Sequence, residues 1–264
     1  MIDYTSIDSQ ANNCVQWIKT YFDNLNKKKA IIGISGGKDS TVCAMLCVRA
    51  LGKENVIGVL MPNGKQNDIA DSMKVVETLG IEHYTLNIEA AFNGIINEVT
   101  TQVGTTSEDT KINTPARLRM TMLYALSTMF DALVANTCNL SEATVGYATL
   151  YGDSAGSFAP LSQLTTEEII AIGDYLTQDL KVPTELIHKT PIDGLQPKSD
   201  EEKLGFTYHE VNELIRKGVK GKNYDKIKRM YVKNKFKTDI IRIPYYIPRP
   251  LLQNYNISPI GSLL

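Results

Sequence analysis

The run Gly33-Ile34-Ser35-Gly36-Gly37-Lys38-Asp39-Ser40 has residue types that suit a bound phosphate. It lies where a short apolar strand ends and a helix begins, so free backbone N–H groups and the positive helix end converge on one point. Glycines let the backbone approach a phosphate closely. Ser35 and Ser40 add hydroxyl donors, and Asp39 adds a hard oxygen ligand for the Mg²⁺ that accompanies nucleotide phosphates. The pattern GxxxxGK[ST] does not fit, because Lys38 precedes Asp39 and the spacing from Gly33 is one residue short; GxGxxG is absent too. This separates the chain from ordinary P-loop nucleotide hydrolases and from dinucleotide-dependent dehydrogenases.

A second block runs through Asn139-Leu140-Ser141-Glu142-Ala143, Gly146-Tyr147, Thr149 and Tyr151-Gly152-Asp153. It follows a later strand and so should lie at the same carboxyl edge of the sheet, where such folds bind ligands. Glu142 would then face Asp39. Two carboxylates from different strands suit an ion held partly by protein and partly by phosphate oxygens. Taken alone, Glu142 reads equally as a helix-start carboxylate. Gln66 and Asp68, beyond a strand end, are candidates for nucleotide or substrate contacts, or a turn with a helix cap. Ser199 and Glu202 fit a capping box in the charged run from Lys198.

The elements that must position these residues follow from periodicity. Apolar residues at Cys14, Val15, Ile18, Tyr21, Phe22 and Leu25 recur at helical spacing. Residues 30–34 and 56–61 read as buried strands flanking a helix over 39–51 that stops at Gly52. The alternation continues with a helix over 68–79, a strand at 84–88, a helix over 90–99, a loop at 104–109, a helix over 115–129 and a strand at 133–136. It predicts an α/β fold: a doubly wound, mainly parallel sheet with helices on both faces. Beyond Gly146 helices are expected at 166–180, 208–217 and 224–233, a helical C-terminal elaboration. The segment 189–205 reads as a lid or a linker, and the tail 243–264 as extended. One domain over 1–264 is the expectation.

A chain of 264 residues, 43% apolar and 22% charged, has the composition of a globular protein with a sizeable core. The net charge of −1 gives no cationic excess for a nucleic-acid backbone or an anionic membrane. Small-molecule substrates are favoured, with no nucleic acid and no membrane as partner. The polar N-terminus lacks the pattern of a secretory signal, so a cytoplasmic location is expected. Cys14, Cys43, Cys47 and Cys138 form no CxxC pair and have apolar or small neighbours, which reads as buried thiols.

The SGGxDS loop resembles that of the ATP-pyrophosphatase superfamily, which includes NAD, GMP and asparagine synthetases and several tRNA-modifying enzymes. Five segments taken in order, SGGKDST at 35–41, MPNGKQNDIADS at 61–72, NTPARLRMTMLYA at 113–125, NLSEATVGYATLYGD at 139–153 and DGLQPKSDEEKLGFTYHE at 193–210, resemble the ammonia-dependent NAD synthetase family. The likeness covers nearly the whole chain. It implies an adenine nucleotide alpha-hydrolase-like fold and a two-step reaction. The carboxylate of deamido-NAD attacks the α-phosphate of the co-substrate ATP, and ammonia then displaces AMP to form NAD. By the same resemblance Gly33, Ile34, Ser35, Gly36, Gly37, Lys38, Asp39, Ser40 and Thr137 contact ATP, and Asp39 and Glu142 hold Mg²⁺. Asp39 and Asp153 are the catalytic positions, and Arg117, Asp153 and Lys237 contact substrate. The family also implies a homodimer with sites near the interface, and a substrate-covering loop around 189–205.

The chain departs from that family at five positions. Leu60 stands where many members have Arg, Leu150 and Thr166 where many have Lys, Ser157 where Asp is common and Phe236 where His is common. These changes are expected to remove positive charge near the phosphates and a carboxylate near the substrate. Two alternatives follow: another ATP pyrophosphatase, such as a tRNA-modifying enzyme, or a weakened nucleotide-binding homologue.

Overall fold

Two strands carry the centre of the molecule, and the side chains on each alternate between two cores. In β1, Lys29–Gly33, Ala30 and Ile32 face one apolar cluster and Ile31 the other; in β2, Val56–Leu60, Val56 and Leu60 face the first and Ile57 and Val59 the second. This period of two is what a strand buried on both faces requires. The structure, a computed structural model, describes residues 5–65, 69–189, 199–239 and 243–249. Among these, four strands form one parallel sheet in the order β3-β2-β1-β4, with β3 spanning Glu82–Thr85 and β4 Ala132–Val134.

Helices cover both faces. On one side lie α1 (Ile7–Asn24), α2 (Lys38–Leu51), α3 (Ile69–Leu79), and later in the chain α7 (Thr166–Leu180) and α8 (Thr184–Ile187). α3 comes so near β2 that a Cβ on Gly58 would lie 2.7 Å from Val76 Cγ1. The other face is covered by α5 (Glu108–Phe130), which buries Met120 and Leu123 against Ile31, Ile57 and Val134, with α4 (Glu89–Val103) alongside. Beyond the sheet, α6 (Leu140–Val145), α9 (Asp200–Leu204), α10 (Tyr208–Lys217) and α11 (Tyr224–Asn234) enclose a third cluster around Val145, Phe206 and Val211. A short helix, α12 (Phe236–Asp239), follows. Expected and observed boundaries agree closely for α2, α3, α7, α10 and α11.

The short helices α6, α8, α9 and α12 add to the periodicity reading, α9 falling within the segment read as a lid or linker, and three expected elements differ most in their bounds. α5 starts at Glu108, seven residues before the expected start at Pro115, which lies inside the helix. Proline suits a first turn, but here Ser107 Oγ accepts from Thr110 N at 3.1 Å and sets the start earlier. The Asn113 and Thr114 side chains donate to Asp109 O and Thr110 O below the ring, giving carbonyls of that turn a second donor. α4 runs to Val103, four residues beyond the expected end, and stops at Gly104 in the left-handed conformation. β3 lies earlier than expected because its register is set by β2, with Ile57 opposite Glu82 and Leu60 opposite Thr85. The expected contacts at Gln66 and Asp68, residues 190–198 of the expected lid and the tail from residue 250 lie outside the described residues. Of the tail, residues 243–249 carry one parallel bridge, Tyr245 to Ala159.

The C-terminal helices are tied to the sheet by a buried ion pair. Arg216, 2% exposed, donates through Nε and Nη2 to the two carboxylate oxygens of Glu168 at 2.8 and 2.7 Å, and Nη2 also reaches Gln163 O. Removing one partner leaves the other charge buried and unpaired. Arg216→Ala should therefore lower unfolding free energy by about 3–5 kcal/mol in urea titration, whereas Lys217→Ala, one residue on and more exposed, should cost under about 1 kcal/mol.

Candidate functional site

The phosphate-type loop is cross-tied by its own hydroxyls. Ser40 Oγ lies 3.0 Å from Ser35 Oγ and accepts from Ser35 N at 3.2 Å, while Gly37 N donates to Ser35 Oγ at 3.3 Å. Thr41 Oγ1 donates to Gly37 O at 2.7 Å. Gly36 has φ +77°, and a Cβ there would lie 2.8 Å from Asp71 Cβ and Ser72 N, so any side chain meets both backbone strain and the start of α3. Gly37 is the N-cap of α2, which leaves the first-turn amides of Lys38, Asp39 and Ser40 without intrahelical acceptors and open to an anion.

β4 delivers the second half. Past its end, Asn139 caps α6 in a capping box: its Oδ1 accepts from Glu142 N at 3.0 Å, and its own N donates to Glu142 Oε2 at 3.5 Å. The same buried side chain donates through Nδ2 to Asp39 Oδ1 at 3.1 Å. Both readings of Glu142 therefore hold together: it is a helix-start carboxylate, and it faces the loop. Lys38 Nζ bonds Asp39 Oδ2 at 2.7 Å. Burial alone would depress the Lys38 ammonium, but the charges of Asp39, Glu142 and Asp200 hold it above its ordinary value. Burial first, then the Asp39 charge, pushes the Glu142 carboxyl up to about 8 despite nearby Lys38.

Around this centre opens a cleft of about 650 Å³. Gly33, Ile34, Ser35, Gly37, Lys38, Asp39, Ser40, Thr137, Glu142, Asp153 and Lys237 all line it. Asp153 accepts from Thr149 N at 2.7 Å, yet the enclosing protein still raises its carboxyl above the ordinary range. Lys237 Nζ donates to Gly146 O and Ala148 O, both at 2.8 Å. Burial lowers its ammonium, opposed by the charge of Asp153. Met61, Ile112, Ala116, Met120 and Leu123 form an apolar wall suited to a flat ring.

Arg117 is not brought into the cleft. Its Nε donates to Leu150 O at 3.2 Å, while Arg119, two residues on, lines the cleft and donates to Met61 O. Cys138, Lys189 and Lys203, given no binding role by the sequence, do line it, whereas Gly36, expected to contact ATP, does not. The N-x-x-E spacing of Asn139 and Glu142 was a usable signal for the cap, but nothing local announces the reach of Asn139 to Asp39. The Cys138 thiol, raised chiefly by burial and then by Asp153, Glu142 and Asp39, donates to Asp153 O.

The five departures from the family pattern lie off the cleft lining. Leu60 is packed in the core of β2, and Thr166 is buried, its N donating to Ser141 Oγ and its Oγ1 accepting from Asn212 Nδ2. Ser157 Oγ accepts from Val134 N, Leu150 offers its carbonyl to Arg117, and Phe236 is exposed. The expected loss of positive charge does not empty the cleft, because Lys38, Arg119, Lys189, Lys203 and Lys237 line it.

Among the described residues no cluster of three or more His, Cys, Asp or Glu side chains is arranged to hold a metal. Asp39 and Glu142 instead form a pair that would hold Mg²⁺ jointly with phosphate oxygens. A desolvated pair of like charges fits a divalent cation in the donor chemistry it offers.

A family model described as NAD synthase matches residues 10–241. The NH(3)-dependent NAD(+) synthetase of Thermococcus sibiricus is 36% identical over 215 residues, 81% of this chain and 81% of its own length. That of Methanocaldococcus jannaschii is 34% identical over 230 residues, 84% and 85% of the two chains. Among solved structures, the NMN synthetase from Francisella tularensis matches with TM-score 0.81 and 31% identity, covering 91% of this chain and 99% of that one. The NH3-dependent NAD synthetase from Campylobacter jejuni, in complex with the nitrate ion, matches with TM-score 0.71 and 29% identity, covering 90% and 99%. These likenesses agree with the doubly wound α/β fold and its adenine nucleotide alpha-hydrolase-like class.

The Glu142 carboxyl carries a linked stability effect. Folded, it titrates near 8; unfolded, near the ordinary value of 4.5. Between these the folded state binds the extra proton, so stability falls as pH rises through that window. Without metal or nucleotide, Glu142→Gln should raise Tm more at pH 8 than at pH 5; an equal shift at both would show that Glu142 titrates normally.

Proposed function

The chain belongs to the NAD synthase family, and from that premise we propose the reaction of this cleft. The protein is a ligase that forms a carbon–nitrogen bond, the ATP-dependent amidation of deamido-NAD with ammonia, giving NAD, AMP and pyrophosphate. This reading is favoured over a tRNA-modifying ATP pyrophosphatase or a weakened nucleotide-binding homologue.

The observation that carries it is the bond from Asn139 to Asp39, which joins the two motifs within one cleft. A carboxylate is a poor acyl donor until its oxygen becomes part of a good leaving group, which adenylation supplies. The loop from Gly33 to Ser40, with Thr137 opposite, takes the triphosphate on backbone amides and hydroxyls. Asp39 and Glu142 would hold Mg²⁺, which when bound would supply positive charge to the phosphates, and Lys38 offsets the repulsion between the two carboxylates. Asp153, made more basic by its surroundings, stands ready to take the proton that ammonia loses on becoming an amide. Lys237 contacts the substrate beside it.

Two further features belong to this proposal. α4 buries none of its side chains, and Ile95, Val103, Ile112, Tyr124 and Met129 of α4 and α5 are exposed. An apolar face of this kind is suited to a second copy of the chain. Free thiols at Cys14, Cys43, Cys47 and Cys138 support a reducing, cytoplasmic setting, and no described helix is long and apolar enough to cross a membrane. A second reading of the acceptor is favoured by the Francisella NMN synthetase match: the same chemistry on a carboxylated mononucleotide.

Purified protein with ATP, Mg²⁺, deamido-NAD and ammonium should yield NAD, AMP and pyrophosphate. Asp39→Ala and Glu142→Ala should each lower kcat by roughly 100-fold or more. ADP as product would sink the reading, and a higher kcat/KM for the carboxylated mononucleotide would replace the dinucleotide as acceptor. In light scattering the chain should have the mass of a dimer, and Ile95→Glu with Tyr124→Glu should bring it to that of a monomer.

A further inference from the structure

Lys189 lines the cleft from the segment that follows α8, and its Nζ lies 2.6 Å from Asp71 Oδ2 on the first turn of α3. Asp71 packs directly on the phosphate loop, where a Cβ on Gly36 would lie 2.8 Å from Asp71 Cβ. The ammonium of Lys189 is thus anchored to the residue beside the turn that receives phosphates. Other cleft cations are differently engaged. Lys38 is buried against Asp39 on the carboxylate side, and Lys237 bonds two backbone carbonyls beside Asp153. The Lys189–Asp71 pair is about one-third exposed on each side, 34% and 35%, so water screens it and its partner is exchanged at small cost. A second pair, Lys74 to Glu185 at 2.6 Å, joins α3 to α8 independently, so this contact between the elements does not require Lys189 to stay on Asp71.

We propose that Lys189 is a pyrophosphate ligand: on nucleotide binding its ammonium leaves Asp71 for the β- and γ-phosphates and receives the charge of the leaving group. This rests on the pyrophosphate-releasing reaction above. As the substrate carboxylate oxygen bonds to the α-phosphorus, the bond from that phosphorus to the bridging oxygen breaks. Pyrophosphate departs with the electron pair. The negative charge that grows on the departing oxygens calls for a cation beside the phosphate-type loop, and Lys189 is held there on Asp71, which packs against Gly36. Asp71 keeps the ammonium beside the loop when phosphate is absent, and its own carboxylate competes with phosphate for it.

The competition sets opposite signs for two substitutions, whereas a purely structural ion pair would make them act alike. Full-length protein titrated calorimetrically with inorganic pyrophosphate and Mg²⁺ should bind it about tenfold more weakly as Lys189→Gln. Binding should be about threefold tighter as Asp71→Asn. Lys189→Arg should keep most of the wild-type affinity. AMP binding should be unchanged in all three, and in turnover Lys189→Gln should raise KM for ATP without changing KM for the carboxylated substrate. Weaker pyrophosphate binding in both Lys189→Gln and Asp71→Asn, an equal loss of AMP binding, or no change with Lys189→Gln would overturn the assignment. Failure of wild type to make the amide would instead count against the reaction, because pyrophosphate binding is read without turnover.

Discussion

Two carboxylates from separate strand ends, Asp39 and Glu142, share a partly desolvated cleft with one buried ammonium, Lys38, beside them. Burial, and after it repulsion from the like charge of Asp39, raises the Glu142 carboxyl. The protein tolerates this because Asn139, itself fully buried, bonds Asp39 with its amide nitrogen and caps α6 with its amide oxygen. One side chain therefore fixes the spacing of the two acids. The sheet order puts β4 next to β1, so that the loops leaving these two strands meet at the same edge.

The surroundings divide according to what they must do. Behind the phosphate-type loop the contacts are close-packed and internally bonded: the hydroxyl ties among Ser35, Ser40 and Thr41, α3 packed on Gly36, and the apolar cluster beneath α2. Packing of this kind holds the amide donors in place without help from a ligand, the preorganisation that makes such donors effective. In front of the loop the contacts are polar and partly exposed, including Lys189 on Asp71 and Tyr147 donating to Asp200 at 3.0 Å. Such contacts are exchanged readily for contacts to a ligand.

Charge in the cleft is supplied from several elements rather than from one motif. Lys38 comes from α2, Arg119 from α5, Lys189 from beyond α8, Lys203 from α9 and Lys237 from α12. The five departures from the family pattern matter less to the cleft for that reason. At Thr166 a small polar knot with Ser141 and Asn212 fills the interior, and the buried Arg216–Glu168 pair beside it fastens α10 to α7. The C-terminal helices thereby form a wall of the site as well as a cluster of their own.

The order of the four strands and of α1 to α5, α7, α10 and α11 is legible in the sequence, as is the meeting of the glycine loop and the Glu142 block at one edge of the sheet; the short helices α6, α8, α9 and α12 are not. Each rests on a local pattern: alternation in β1 and β2, helical spacing in α1 and α7, glycines between a strand and a helix. The start of α5 was not legible, since the cap at Ser107 outweighed the signal of Pro115. The choice of Arg119 over Arg117 for the cleft was not legible either, because two residues on one helix lie about 200° apart and only packing against β2 decides which turns inward. The same holds for Asn139 on Asp39, 100 residues apart, and for Lys189 on Asp71, 118 apart. Local sequence determines what each segment can do and which residues it can offer, but which offers meet is decided by the sheet order and by helices packing across it, a property of the whole chain.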